Sequence, residues 1–218
     1  MCIAAFIWQA HPLYPLLLLQ NRDEYHQRHA LLFLVIYLCI CVFGACLRLI
    51  GLDMVSLFRT GRVAFLTNVL ELHTLPEAKS RGDLPVLFLE STKSPREFAQ
   101  ELVTEAHQYN GFNLILADMF SKTMVYVSNR PKGEPITIYL PRHSCSRLGL
   151  NFKELLINYG DGELPVKEMA EKLMTDSIKA MKADVMAQEA TAAVTVEASG
   201  QASFYEKYLE KDMWKEKL

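Results

Sequence analysis

The chain has no excess of either charge. Over 218 residues, 23 Lys and Arg stand against 25 Asp and Glu, a formal net charge of −2. A basic face for nucleic acid or an anionic membrane surface therefore has no compositional support, and nucleic acid is excluded as a partner class. Metal-ligand cysteine spacing is missing as well. The five cysteines, Cys2, Cys39, Cys41, Cys46 and Cys145, are odd in number, and none stands in a C-x-x-C or Cys/His pattern. This points to a reducing compartment without structural zinc. The opening "MCIAAFIWQAHPLYP" lacks the basic start, long apolar stretch and small-residue cleavage site of a secretory signal, so the chain is expected to begin in the cytosol. Repeats and low-complexity linkers are absent, and the length suits one core.

Short apolar runs at residues 3–8 and 16–20, joined by "QAHPLYP" with its two prolines, predict a two-stranded start. "GRVAFLTN" (61–68) reads as a buried strand, and "ELHTLPEAKSRGDLP" as a polar loop. In "KSPREFAQELVTEAHQYNG", Ser94 is the N-cap, Pro95 the first helical residue, and Glu97 completes a capping box; Phe98, Leu102 and Ala106 share one face. "FNLILAD" (112–118), "MVYVSNR" (124–130) and "PITIYL" (135–140) are rich in β-branched and aromatic residues and separated by Ser-Lys and Pro-Lys-Gly turns, which predicts an antiparallel meander. Helices are expected over about 151–158 and 166–182, the second with Met169, Leu173 and Ile178 on its apolar side. "AAVTVEASGQASFYEKYLE" predicts two strands about a Ser-Gly turn, followed by a charged tail. Antiparallel strands with helices segregated in sequence argue for an α+β class.

Two stretches could carry chemistry. Removal of Met1 would leave Cys2 with a free α-amino group, a thiol near pKa 8.5 beside an amine near 7.7–8.0, and a terminal amine can activate its own side chain. A buried cysteine at the start of a strand is the plainer reading of Cys2 taken alone. "QNRDEY" (20–25) follows "LLLL" and would sit at the rim of a sheet. There Arg22 would lower the pKa of a nearby thiol and orient a carbonyl, while Asp23 would hold the terminal ammonium or orient the arginine. Its plainer reading is a solvated strand end with an Arg–Asp pair.

"MCIAAF", "LLLLQNRDEYHQR", "GRVAFLTN", "YNGFNLILAD" and "VSNRPKGEP", in this order, resemble the NRDE family, also called the transport and Golgi organisation 2 family, in a plant-like form. The resemblance covers residues 1–28 and 60–140 and continues more weakly beyond. It implies a single domain over 1–218, folded as an αββα sandwich like the N-terminal-nucleophile hydrolases. In that fold Cys2 would be the exposed terminal residue, with Arg22 and Asp23 as helpers. Asn68 would be an amide donor for an oxyanion, and Asn21 and Asn113 would contact substrate. It also implies a role in Golgi organisation, protein secretion and haem trafficking. The ligand would be a small molecule or transported haem, no cofactor would be required, and the place would be cytoplasmic with Golgi association. The alternative in a different class is an active hydrolase of a linear amide or acyl substrate, with Cys2 as nucleophile.

The chain also departs from that family. The family follows its NRDE segment with an Arg-Pro pair, a tryptophan and a Gly-Gly-Thr-Trp-Leu strand. Here residues 29–58 stand instead, with an uninterrupted apolar part at 30–47, long enough for a transmembrane helix and flanked by Arg28 and Arg48. A membrane-anchored variant through 30–47 is therefore a third reading. Phe, Leu, Ile, Val, Cys and Tyr are also the residues of uridine-rich codons, as a retained intron would supply. Family segments expected after "ITIYL" and before "TAAVTVEASG" are missing too, so the chain reads as an alternative or mispredicted splice product. Such an insert would disrupt the sheet, become substitute core, or enter a bilayer. Smaller signals carry less: "RGD" (81–83) is a polar loop, His73 and His107 are isolated, and "NYGDGE" lacks a calcium-loop pattern.

Overall fold

The computed structural model describes residues 3–25, 61–69, 71, 73, 75–131, 134–138, 154, 156–172, 186–210 and 213–217. The apolar stretch at 29–58, Cys2 and most of the expected 166–182 helix lie outside them. The chain divides into two compact units, Met1–Arg28 with Leu140–Leu218, and His29–Tyr139.

The first unit holds an antiparallel five-stranded sheet. Two of its strands, β1 (Ile3–Trp8) and β2 (Leu16–Tyr25), come from the start of the chain, and three come from its last third. As expected, β1 and β2 form a hairpin, with Trp8 opposite Leu16 and Ile3 opposite Asn21. The four leucines of β2, Leu16, Leu17, Leu18 and Leu19, are all buried, so both faces of the strand carry core. Each contributes on the order of 1.5–3 kcal/mol. One face sets Ile7, Leu17, Leu19, Ala193 and Tyr205 against Leu164, Met169 and Ala170, the last two on helical residues 166–172. Trp8, Leu16, Leu18, Val194 and Val196, on the alternate positions, are buried as well.

The second unit holds a four-stranded antiparallel sheet. It comprises β3 (Arg62–Asn68), β4 (Phe112–Asp118), β5 (Thr123–Ser128) and β6 (Ile136–Ile138), in that spatial order. The expected meander is borne out. Its β4–β5 turn is built by the Asp118 carboxylate, which accepts the N–H groups of Phe120 (2.8 Å) and Ser121 (3.3 Å), with Lys122 at φ +52°. Helices α1 (Asp83–Glu90) and α2 (Pro95–Glu105) cover one face. Leu84, Phe88, Ala99 and Leu102 pack there on Leu66, Phe112, Leu114, Leu116, Val125 and Val127. The capping box of α2 forms as the sequence predicts: Ser94 Oγ accepts from Glu97 N–H, and the Ser94 N–H donates to Glu97 Oε2 at 2.9 Å. The opposite face of the sheet is apolar and buried at one end (Val63, Phe65, Ala117 and Met124) and polar and half-buried at the other.

The remaining strands of the first unit are β7 (Met186–Val196), β8 (Ala202–Glu210) and β9 (Met213–Lys217), and the sheet order is β1-β2-β7-β8-β9. The two strands about the Ser-Gly turn are present, with Gly200 at φ +85°. Three expectations change. The charged tail is strand β9, because pairing with β8 (Leu209 opposite Trp214) satisfies a backbone that propensity alone would leave in solution. The "polar loop" ends in α1, a short helix whose Leu84 and Phe88, four residues apart, reach the core. Finally, β2 does not stop at Gln20 but runs through Tyr25.

Candidate functional site

The charged residues of "QNRDEY" belong to the far end of β2, which β1 accompanies as far as Asn21 and which continues to Tyr25 against β7 alone. Asn21 pairs with Ile3 on β1 and with Thr191 on β7; Arg22 pairs with Ala190 and Asp23 with Gln188. The register shifts between Arg22 and Asp23, an irregularity of the kind that re-aims side chains and clusters near functional sites. Cross-strand pairing carries β2 past the apolar run, and Arg22 to Tyr25 form its end, beyond the last residue that β1 pairs. Ile3, which follows Cys2 in the sequence, is opposite the residue that precedes Arg22.

Asn68 and Asn113 belong to the second unit, on adjacent strands. Asn68 ends β3 opposite Phe112 and is half-buried. Asn113 lies opposite Thr67 and Ser128 on one rung. Its side chain is already engaged: Nδ2 donates to Thr67 Oγ1 (3.3 Å), and Oδ1 accepts from the Tyr126 hydroxyl (2.8 Å). Thr67 and Tyr126 were not singled out in the sequence. The alternation of β3 and β5 places them on the face of Asn113, and that pattern could have found them.

Beside this rung, residues of the "YNGFN" and "VSNRP" stretches form a buried clasp. Asn129 Nδ2 donates to the carbonyls of Ala106 (3.0 Å) and Tyr109 (3.1 Å), where the chain leaves α2, and its Oδ1 accepts the Phe112 N–H at 2.9 Å. Arg81 of the "RGD" tripeptide donates to the Gly111 carbonyl at 2.7 Å, which gives it a structural contact rather than a free display. Glu71 accepts from the Gly111 N–H and from Arg130 Nε at 2.6 Å. The Gly111 hydrogen bond, then Arg130 and Arg81, hold the Glu71 carboxyl below its ordinary range. Gly111 admits no side chain without movement, since a Cβ there would stand 2.9 Å from Val69 Cβ.

In the first unit, several ionisable groups with shifted pKa bridge helical residues 166–172 to the sheet. Tyr205, buried on β8, donates to Glu171 Oε1 (3.3 Å), which also accepts from Lys207 (2.9 Å). Burial first, then Glu171 and Glu216, push the Tyr205 phenol up to about 12. Lys167 joins Glu216 of β9 at 2.5 Å. These pairs fasten elements together. His73 and His107 are both exposed. No helix among the described residues is long and apolar enough to cross a membrane.

Comparison with known proteins agrees with the motifs. The chain is 32% identical over 155 residues to the transport and Golgi organization 2 homolog of Mus musculus, 63% of this chain and 54% of that protein. It is 31% identical to the homolog of Bos taurus and 30% to that of Homo sapiens, over the same spans. The chain therefore covers about half the length of these relatives. The family model for transport and Golgi organisation 2 matches residues 1–205, nearly the whole sequence, and the chain belongs to that family.

Proposed function

We propose that this chain acts in Golgi organisation and protein secretion, handling a small molecule or haem as transported ligand with no resident cofactor. The family match over residues 1–205 carries the reading, and the names of the mouse, bovine and human relatives support it. A cytoplasmic, Golgi-associated place belongs to the same proposal. Two antiparallel sheets, each with helical residues against one face, support an αββα sandwich of the N-terminal-nucleophile type. Cells depleted of their own homologue and expressing this chain provide the test. Restored export of a secreted reporter and a compact Golgi are expected; a folded, expressed chain that restores neither contradicts the proposal.

The β1–β2 register favours a second reading. Cys2 and Arg22 are the sequence neighbours of the paired residues Ile3 and Asn21. A hydrolase of a linear amide or acyl substrate would use the Cys2 thiolate as nucleophile and its α-amine as base. Arg22 and Asp23 would tune and orient the pair, and Asn21 would contact substrate. Intact mass with a thiol-selective electrophile at pH ~7, below the ordinary thiol range, tests this. Loss of Met1 with fast labelling confined to Cys2 is expected, whereas retained Met1 or an unreactive Cys2 in the folded chain removes the reading.

A further inference from the structure

The polar end of the four-stranded sheet holds three hydroxyl and amide side chains in series: the Tyr126 hydroxyl to Asn113 Oδ1 at 2.8 Å, and Asn113 Nδ2 to Thr67 Oγ1 at 3.3 Å. All three residues are half-buried and uncharged. Between them they own four donor hydrogens, one on each hydroxyl and two on the amide, and the series consumes two. The surplus survives any exchange of the amide's oxygen and nitrogen. With Nδ2 toward Thr67, the Thr67 hydroxyl is left over; with the amide reversed, the Thr67 hydroxyl donates inward and the Tyr126 hydroxyl is left over. In both arrangements one amide N–H and one hydroxyl proton have no partner among the described residues. This donor pair is half-buried and open to a ligand or to solvent, and each donor is polarised by the hydrogen bond behind it. Ser128, on the same rung, is already committed through its Oγ to the Phe112 carbonyl at 3.0 Å.

We propose that the Thr67–Asn113–Tyr126 series is a ligand site that grips a neutral carbonyl oxygen, such as that of an amide or ester, through one amide N–H and one hydroxyl. A carbonyl oxygen has two lone pairs for two donors. A carboxylate would bring a full charge to a partly desolvated place where the series supplies no cation, so the neutral acceptor is preferred. The inference needs no reactive Cys2. An unreactive Cys2 leaves it standing, and a failed titration here leaves Cys2 chemistry untouched.

The test is a titration of the isotopically labelled full chain with N-methylacetamide, followed at the Asn113 side-chain amide protons, with acetate as comparator. A saturable downfield shift of one Nδ2 proton is expected, with a weaker response to acetate. Thr67→Val and Tyr126→Phe each keep shape while removing one hydroxyl; one takes away the gripping hydroxyl and the other the hydrogen bond that holds and polarises the amide, and each should weaken the apparent affinity by roughly three- to tenfold. If one variant does not fold, the other reads the same series. Three results overturn the site: no saturable shift in the folded wild type, acetate binding as well as the amide, or unchanged affinity in the folded variants.

Discussion

Asn129 is 2% exposed, and both polar atoms of its side chain are used: Oδ1 on the Phe112 N–H, Nδ2 on the carbonyls that close α2. Replacing it with alanine strands a buried donor and buried acceptors together, so Asn129→Ala should cost about 2–3 kcal/mol, read as a lower urea midpoint at unchanged slope. A loss below ~0.5 kcal/mol would mean that water replaces the amide without penalty. Tyr205 makes a pH prediction. Its folded pKa of about 12 lies above an unfolded value near 10. At pH below ~10 both states hold the proton and the stabilisation is complete. Between about pH 10 and 12 only the unfolded chain releases it, so stability falls as pH rises. Thermal melts across this range should show that loss in the wild type and less of it in Tyr205→Phe; parallel curves would contradict the assignment. At this scale the sequence pointed to Asn113 but not to Thr67, Tyr126 or Asn129. Their roles arise from partners 13 to 46 residues away in the chain, which single-residue chemistry does not announce.

Elements with strong local rules were legible. The start of α2 is written in Ser94, Pro95 and Glu97, and removing its cap should cost about 1 kcal/mol in Ser94→Ala, seen as a drop in melting temperature. No drop would show that Glu97 and the preceding turn hold the helix without the cap. The β4–β5 hairpin is similarly local, its turn fixed by Asp118 and Lys122. Elements decided by pairing were not legible. The charged half of β2 and the whole of β9 contain Asp, Glu and Lys, residues that disfavour strands, yet neighbours across the ladder hold them extended. The helix α1 was hidden by its short length and by Pro85, a residue that a first turn tolerates. At its C-terminal end Arg62 Nη2 donates to the Phe88 carbonyl at 3.0 Å, and the guanidinium lies 4.1 Å above the Phe88 ring, a long-range tie with no local signature.

Across the whole molecule, the motifs that marked the family occupy defined places in two antiparallel sheets, and the α+β class was readable from their order. What composition could not decide is the strand on which the NRDE residues lie and how far it extends. The structure answers with an interior strand, β2, paired with β1 and β7 and shifted in register between Arg22 and Asp23. The second reading of function depends on that placement, because a nucleophile at position 2 has a use for Arg22 only if β1 and β2 keep this register. Peptide-resolved amide hydrogen exchange on the full chain tests it most directly. We predict that residues 21–25 are protected together with 16–19 and with the facing strand 186–196. Protection that ends at residue 20, with residues 21–25 exchanging at the rate of an unstructured peptide, would contradict it.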